Sequence, residues 1–265
     1  VIIMKAKVFD LSGKQAGEID LPSIFGTAVR KDLIKRAVLA QQSNRRQRYG
    51  SDVLAGKRTS AHYHGSRHYR FTMMNREMSR MPRIHGKVGH LAWRARFVPQ
   101  AVKGRRAHPP VSAKIWTQKI NAKEKKFAIR SALAASAKIE LVKSRHRTEI
   151  APIIVLDDFE NVSKTKDIAK LLYTLVPDEI SRISERKIRP GRGKMRGRRY
   201  VKKKGPLIIA ARPCVALRAA RSMPGVDATD VKGLNVEVLA PGGAPGRLVV
   251  ATKSALQAMQ EKFGE

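Results

Sequence analysis

The sequence predicts an α/β fold: a Rossmann-like, mostly parallel sheet with flanking helices, plus a long extended basic insert and a shorter basic extension. Three observations predict it. Short apolar runs of strand length alternate with longer amphipathic segments, the pattern of a parallel sheet covered by helices. Residues 44–110 carry no sustained apolar period and are punctuated by Gly50, Gly56, Gly65, Gly86, Gly89 and Gly104. Cationic charge is concentrated there and in a second block, residues 186–204. The expected organisation is therefore a globular α/β domain made of 1–43 and 111–265, an insert at 44–110, and a basic extension at 186–204 within the globular domain.

Taken in order, residues 5–9 read as a first strand, closed by the turn Leu11-Ser12-Gly13. Residues 24–41 read as a helix, with Pro22-Ser23 near its start and Val29, Leu33 and Val38 among its apolar positions. Beyond Pro110, Asn121 is an N-cap residue type and Glu124 stands three residues on, the spacing of a capping box. The Ala-rich run 125–143 follows as its helix. Residues 153–156 are an apolar run between Pro152 and Asp157, suited to a strand buried on both faces. Residues 168–175 read as a helix, 207–210, 236–239 and 248–250 as strands, and 254–263 as the last helix.

The charge names the class of partner. Lys plus Arg number 55 and Asp plus Glu 21 in 265 residues, a formal net charge of +34. Repulsion on that scale opposes a compact chain unless a polyanion offsets it, and nucleic acid is the first candidate. Apolar residues at 42% still supply a core, which excludes wholesale disorder. In 44–110 the arginines outnumber the lysines and are interleaved with Tyr49, Tyr63, Tyr69, Phe71, Trp93 and Phe97. Guanidinium groups bind phosphates bidentately, and planar rings stack on unpaired bases. The candidate contacts at the roots of the insert are Arg45, Arg46, Arg48, Lys57, Arg58, Arg105, Arg106 and His108. Within it they are Arg67, Arg94 and Arg96, with Tyr63, Trp93 and Phe97 for stacking. In the second block they are Arg192, Lys194, Arg196, Arg198, Arg199, Lys202 and Lys203, where Gly191, Gly193 and Gly197 let the backbone approach a phosphate.

Other chemistries are weaker. No Gly-x-x-x-x-Gly-Lys-Ser/Thr phosphate loop occurs. His62, His64 and His68 lack a convincing carboxylate partner, and their cationic surroundings oppose a dication, so no metal is expected. Asp157-Asp158 follows a strand, the place for a catalytic metal in a basic RNA-modifying enzyme, but paired acids there more often make turns and caps. Cys214 has no persuasive His or Asn setting, and a single cysteine excludes an internal disulfide framework. A DNA-binding regulator would want a helix-turn-helix, which is not evident. No catalytic residue and no cofactor are expected. No run approaches ~18 apolar residues, so no membrane span is expected. Val1–Ile3 is too short for a signal-peptide core, the Val before Met4 reads as a processing or start-site artefact, and the default compartment is the cytoplasm.

Motifs carry the reading further. Phe97-Val98-Pro99-Gln100-Ala101-Val102 leads into Gly104-Arg105-Arg106-Ala107-His108-Pro109-Pro110. Gly193-Lys194-Met195-Arg196-Gly197-Arg198-Arg199-Tyr200 leads to Lys204-Gly205-Pro206-Leu207. With them run Ala55-Gly56-Lys57-Arg58-Thr59-Ser60-Ala61, Asp158-Phe159, Lys164-Thr165-Lys166, Leu234-Asn235-Val236, Leu239-Ala240-Pro241-Gly242 and Pro245-Gly246-Arg247-Leu248. In this order they resemble the large-subunit ribosomal protein four family of archaeal and eukaryotic type. The resemblance implies a non-enzymatic constituent of the large ribosomal subunit that binds large-subunit (23S-like) rRNA and acts in early assembly. It also implies that the insert forms part of the polypeptide exit tunnel, near ribosomal protein twenty-two and the nascent polypeptide. His64, Arg67, Arg70, Arg76, Arg80 and Arg83 would then lie at the tunnel-loop tip. One departure is visible: where the family shows Gly-Thr/Ser-Gly-Arg, Gly65-Ser66-Arg67-His68 puts Arg at the second glycine. A position that needs positive φ would be strained there.

Overall fold

The computed structural model describes residues 4–85 and 89–264. Val1–Ile3 and Gly86 lie outside them. The chain divides into two compact units, Val1–Arg45 with Thr117–Glu265, and Arg46–Trp116.

The first unit is built on six strands: β1 (Lys5–Phe9), β2 (Gln15–Asp20), β3 (Ile153–Val155), β6 (Leu207–Ala210), β7 (Asp227–Asp230) and β8 (Val249–Thr252). Their order is β2-β1-β3-β8-β6-β7; β2 is antiparallel to β1 and every other neighbouring pair is parallel. The central strands are buried on both faces, and their side chains alternate between two cores. Ile154, Leu207, Ile209, Val249 and Ala251 face one helical layer: α1 (Lys31–Arg45), α2 (Ala122–Ala137), α7 (Val236–Leu239) and α8 (Lys253–Phe263). Ile153, Val155, Ile208, Ala210 and Val250 face α4 (Thr165–Leu175), α5 (Pro177–Ser184) and α6 (Val215–Ala220). Short α3 (Ile139–Lys143) adds Val142 to the second core. This is the mostly parallel, helix-covered sheet that the alternating pattern predicts.

Several elements differ from the expectation. The helix over 24–41 is a 3-10 turn at Ser23–Gly26 followed by α1. The buried Ser131 hydroxyl holds residues between them out of helix: it accepts from the Arg30 N–H at 2.6 Å and donates to the Ala28 carbonyl at 3.1 Å. The helix over 125–143 breaks at Lys138, whose backbone is extended, into α2 and α3. The capping box at Asn121 and Glu124 forms as expected. Residues 236–239 are not a strand but α7: the Asn235 side chain accepts from the Val238 N–H at 3.0 Å, and Val236 and Leu239 bury together one helical turn apart. The basic block at 186–204 is more than a loop. It forms a hairpin of β4 (Lys187–Ile188) and β5 (Tyr200–Val201) around a 3-10 turn at Arg192–Arg196.

The second unit has no strand among its described residues, only a 3-10 turn at Gly89–Leu91 and isolated bridges pairing His62 with Arg83 and Arg83 with Ala95. It is nonetheless folded on itself rather than simply extended.

Candidate nucleic-acid interface

In the first unit the hairpin offers a compact set of cations. The register Lys187↔Val201 and Ile188↔Tyr200 continues through a 2.8 Å bond from the Arg189 N–H to the Arg199 carbonyl. The Arg189 Nε also donates to the Arg198 carbonyl, at 3.0 Å. Gly197 ends the 3-10 turn at φ +76°, a left-handed conformation that only glycine adopts without strain. Arg186 and Arg199 lie on the Tyr200 ring at 5.7 and 5.8 Å. Arg192, Lys194, Arg196, Arg198, Arg199 and Lys202 are exposed and have no acidic partner among the described residues. Lys203 is different: it is half-buried and pairs with Glu185 at 2.6 Å. Arg45, at the end of α1, pairs with Glu237 at 2.8 Å.

In the second unit the root carries a stacked cation. The Arg46 guanidinium lies 3.8 Å from the Trp116 ring centroid, with Lys114 4.5 Å from the same ring and Tyr49 stacked 6.2 Å away. The Ser51 N–H donates to the Pro110 carbonyl at 3.0 Å and ties the two arms together. Gly56, at φ +75°, lies so close to the returning arm that a Cβ would stand 2.5 Å from the Arg105 Cα. Arg58 pairs with Asp52 at 2.5 Å. Arg48, Lys57, Arg106 and His108 are exposed, and Arg105 is half-buried.

The middle of the second unit is a ring cluster. His62, His64 and His85 lie within 4.2–4.7 Å of one another by ring centroid, with Tyr69, Phe71 and Trp93 around them. Met73 is buried at 1% exposure. Several predicted contacts have internal duties here. Arg83 donates to the Trp93 carbonyl at 2.8 Å and to the Ser79 carbonyl and hydroxyl at 2.9 and 3.0 Å. Arg96 donates to the Ala95 and Val102 carbonyls. Arg70 lies on Phe71, and Arg76 covers one side of Trp93 at 4.5 Å. Arg67, Arg80, Arg94, Tyr63 and Phe97 are exposed. Arg67 is not strained, since the positive-φ residues of this unit other than glycine are Asn75, Trp93, Phe97 and Lys103.

Other residues that the motifs single out are braces. Arg247 is fully buried: it donates to the Gly205 carbonyl at 2.9 Å and the Val238 carbonyl at 2.7 Å, and pairs with Asp227 at 2.6 Å. Asp157 accepts from the Ser254 N–H at 2.8 Å, and Glu160 accepts from the Thr252 hydroxyl at 2.9 Å, so this acidic turn caps the start of α8. Cys214 is half-buried, and burial raises its thiol pKa, the opposite of an activated nucleophile. Glu179, which the sequence reading missed, is buried and accepts from Arg182, His146 and the Arg147 N–H.

Comparison with known proteins gives the geometry its context. The family model described as the ribosomal protein L4/L1 family matches residues 19–262. The protein from Archaeoglobus fulgidus named large ribosomal subunit protein uL4 is 48% identical over 263 residues, 97% of this chain and 99% of that one. Those of the same name from Methanopyrus kandleri and Haloarcula marismortui are each 44% identical, over 99% and 98% of this chain and the whole of theirs. With a match across both units, this chain belongs to the ribosomal protein L4/L1 family.

Proposed function

We propose that the chain is a non-catalytic structural constituent of the large ribosomal subunit in the cytoplasm, where it binds large-subunit rRNA through the hairpin at 186–204 and through the insert. The observation that carries this reading is the hairpin: a glycine-shaped turn presents Arg192, Lys194, Arg196, Arg198 and Arg199 to solvent with no acid beside them. Such a surface is electrostatically incomplete without a polyanion. Arg46, Arg48, Lys57, Arg105, Arg106 and His108 extend the contact along the insert root, and Tyr63 and Phe97 supply exposed rings for stacking. On the same reading the protein joins the subunit early in assembly. The tip around His64, Arg67, Arg70, Arg76 and Arg80 lines the polypeptide exit tunnel beside ribosomal protein twenty-two and the nascent chain.

The test is salt dependence. If about eight cations engage phosphates, affinity for a large-subunit rRNA fragment falls by orders of magnitude between low and moderate salt. Replacing Arg192, Arg196, Arg198 and Arg199 together by alanine weakens binding and makes its salt dependence shallower. Affinity that ignores salt, or a native protein that fails to co-sediment with large subunits after a high-salt wash, contradicts the proposal.

A further inference from the structure

Three imidazoles meet in the second unit in a way that phosphate binding does not require. His62 and His64 stand on one arm, and His85 is brought to them by the antiparallel bridge between His62 and Arg83. One ring nitrogen of each lies within 4.8 Å of the other two. His68, which the sequence groups with His62 and His64, is not part of the cluster.

Two hydrogen bonds fix which nitrogens are available. His62 Nδ1 lies 2.9 Å from the Ser60 carbonyl, and His85 Nε2 lies 3.3 Å from the His62 carbonyl. A carbonyl can only accept, so each of those nitrogens carries the ring proton. In the neutral rings, His62 Nε2 and His85 Nδ1 are then bare lone pairs. His85 Nδ1 is buried with no hydrogen-bond partner. A backbone carbonyl on one nitrogen with a lone pair on the other is the arrangement that orients metal-binding histidines.

We propose that His62, His64 and His85 form a Zn2+ site, using Nε2 of His62, Nδ1 of His85 and one ring nitrogen of His64, with a fourth position taken by water. An all-imidazole donor set with neither thiolate nor carboxylate suits Zn2+, Ni2+ or Cu2+ and not Mg2+ or Ca2+. Zn–N bonds of about 2.0–2.1 Å in tetrahedral geometry put the ligating nitrogens about 3.3 Å apart, so binding draws the three rings closer together. The site has a structural use. Met73 is the one buried apolar side chain among the described residues of this unit, too little to fasten the arms that carry the histidines. The Met73 N–H donates to the His64 carbonyl at 3.1 Å, so a metal on His64 also holds the Met73 turn. The surrounding arginines oppose a dication. Arg83 is bonded to oxygens and Arg70 and Arg76 lie on rings, which turns these cations toward other partners and leaves the imidazoles free to bind the ion.

The experiment uses the full chain, stripped of metal with a chelator and free of RNA. It is titrated with ZnCl2 by calorimetry and with Co2+ by visible absorption. One equivalent per chain is expected, with the intense visible bands of a four-coordinate Co2+ ion. His64→Ala and His85→Ala weaken binding more than tenfold, while His68→Ala and His90→Ala leave it unchanged. His64→Cys retains binding and adds a sulfur-to-cobalt charge-transfer band, which separates loss of a ligand from loss of fold. Absence of stoichiometric binding by the wild-type chain, a six-coordinate Co2+ spectrum, or equal weakening by His68→Ala overturns the site.

Discussion

Glu179 illustrates how single residues hold this molecule together. It is fully buried, and burial alone would raise its pKa. The guanidinium of Arg182, the imidazole of His146 and the Arg147 N–H outweigh that penalty and hold it at about 2, against an ordinary 4.5. Burial likewise pushes His146 below its ordinary value, against the raising effect of Glu179, so the neutral ring donates from Nδ1. The signs agree: in both cases the unfolded chain takes up protons before the folded one. Stability from Glu179 is fully present above pH 4.5 and is lost as pH falls toward 2, a shift worth roughly 3 kcal/mol. Glu179→Gln leaves the half-buried Arg182 with a weaker partner and costs about 1.5–3 kcal/mol near neutral pH. Urea midpoints measured across this acid range show the contrast: wild type loses stability steadily below pH 4.5, and the variant shows a shallower slope. Parallel slopes would mean that Glu179 is not the titrating brace. Arg247 teaches the complementary point. Its motif, Pro245-Gly246-Arg247-Leu248, sits on a strongly basic chain, yet its guanidinium is spent on the Gly205, Val238 and Pro206 carbonyls and on Asp227 inside the fold.

At the scale of elements, what the sequence displayed was decided by how much of an element's burial is local. β1, β3, β6 and β8, α4 and α8, and the capping box of α2 were legible because apolar period and cap residues lie within a few positions of each other. α7 was not: in four residues, Val236 and Leu239 satisfy a helix and Val236 and Val238 a strand, and the Asn235 cap decides. β7, with the sequence DATD, has almost no apolar signal and exists because β6 offers it a ladder. The hairpin of β4 and β5 was hidden for a related reason, since two-residue strands carry no period. Of the candidate contacts, exposed cations such as Arg192 and Arg196 were readable from charge. The internal duties of Arg83, Arg96 and Lys203 were not, because their partners are carbonyls or acids set by tertiary structure. The hairpin makes a prediction of its own. No atom lies near enough to obstruct a Cβ at Gly197, so Gly197→Ala pays only backbone strain, about 1 kcal/mol, and that strain is local. The turn re-aims Arg196, Arg198 and Arg199. Affinity for an rRNA fragment drops several-fold while the thermal unfolding of the sheet is unchanged, as anisotropy and calorimetry would record.

At the scale of the whole molecule, the two units differ in what holds them. The first has two continuous cores on either side of a six-stranded sheet. The second has Met73, a ring cluster and scattered backbone bonds, and 44–110 carries sixteen Lys or Arg against two acids. Fixing a residue's backbone costs ~1–2 kcal/mol, and one buried apolar side chain returns about 1.5–3 kcal/mol. Without counter-charge the second unit therefore opens at little free-energy cost, well below global unfolding. Amide exchange on the metal-free, RNA-free chain should show this as a sharp division. The amides of β3, β6 and β8 exchange only through global unfolding. Those of His62, Arg83, Ile84, Trp93 and Arg96, though bonded to backbone carbonyls, exchange within a small factor of unstructured peptide. Adding an rRNA fragment slows the second group by orders of magnitude, because phosphates neutralise the cations and bases cover the rings. Deleting residues 64–94 leaves the slow amides of the sheet as they were, since no strand of the first unit draws on that segment. Strong protection of 62–96 with neither metal nor RNA would instead make the insert a self-sufficient domain, and its ordering could no longer be ascribed to what it binds.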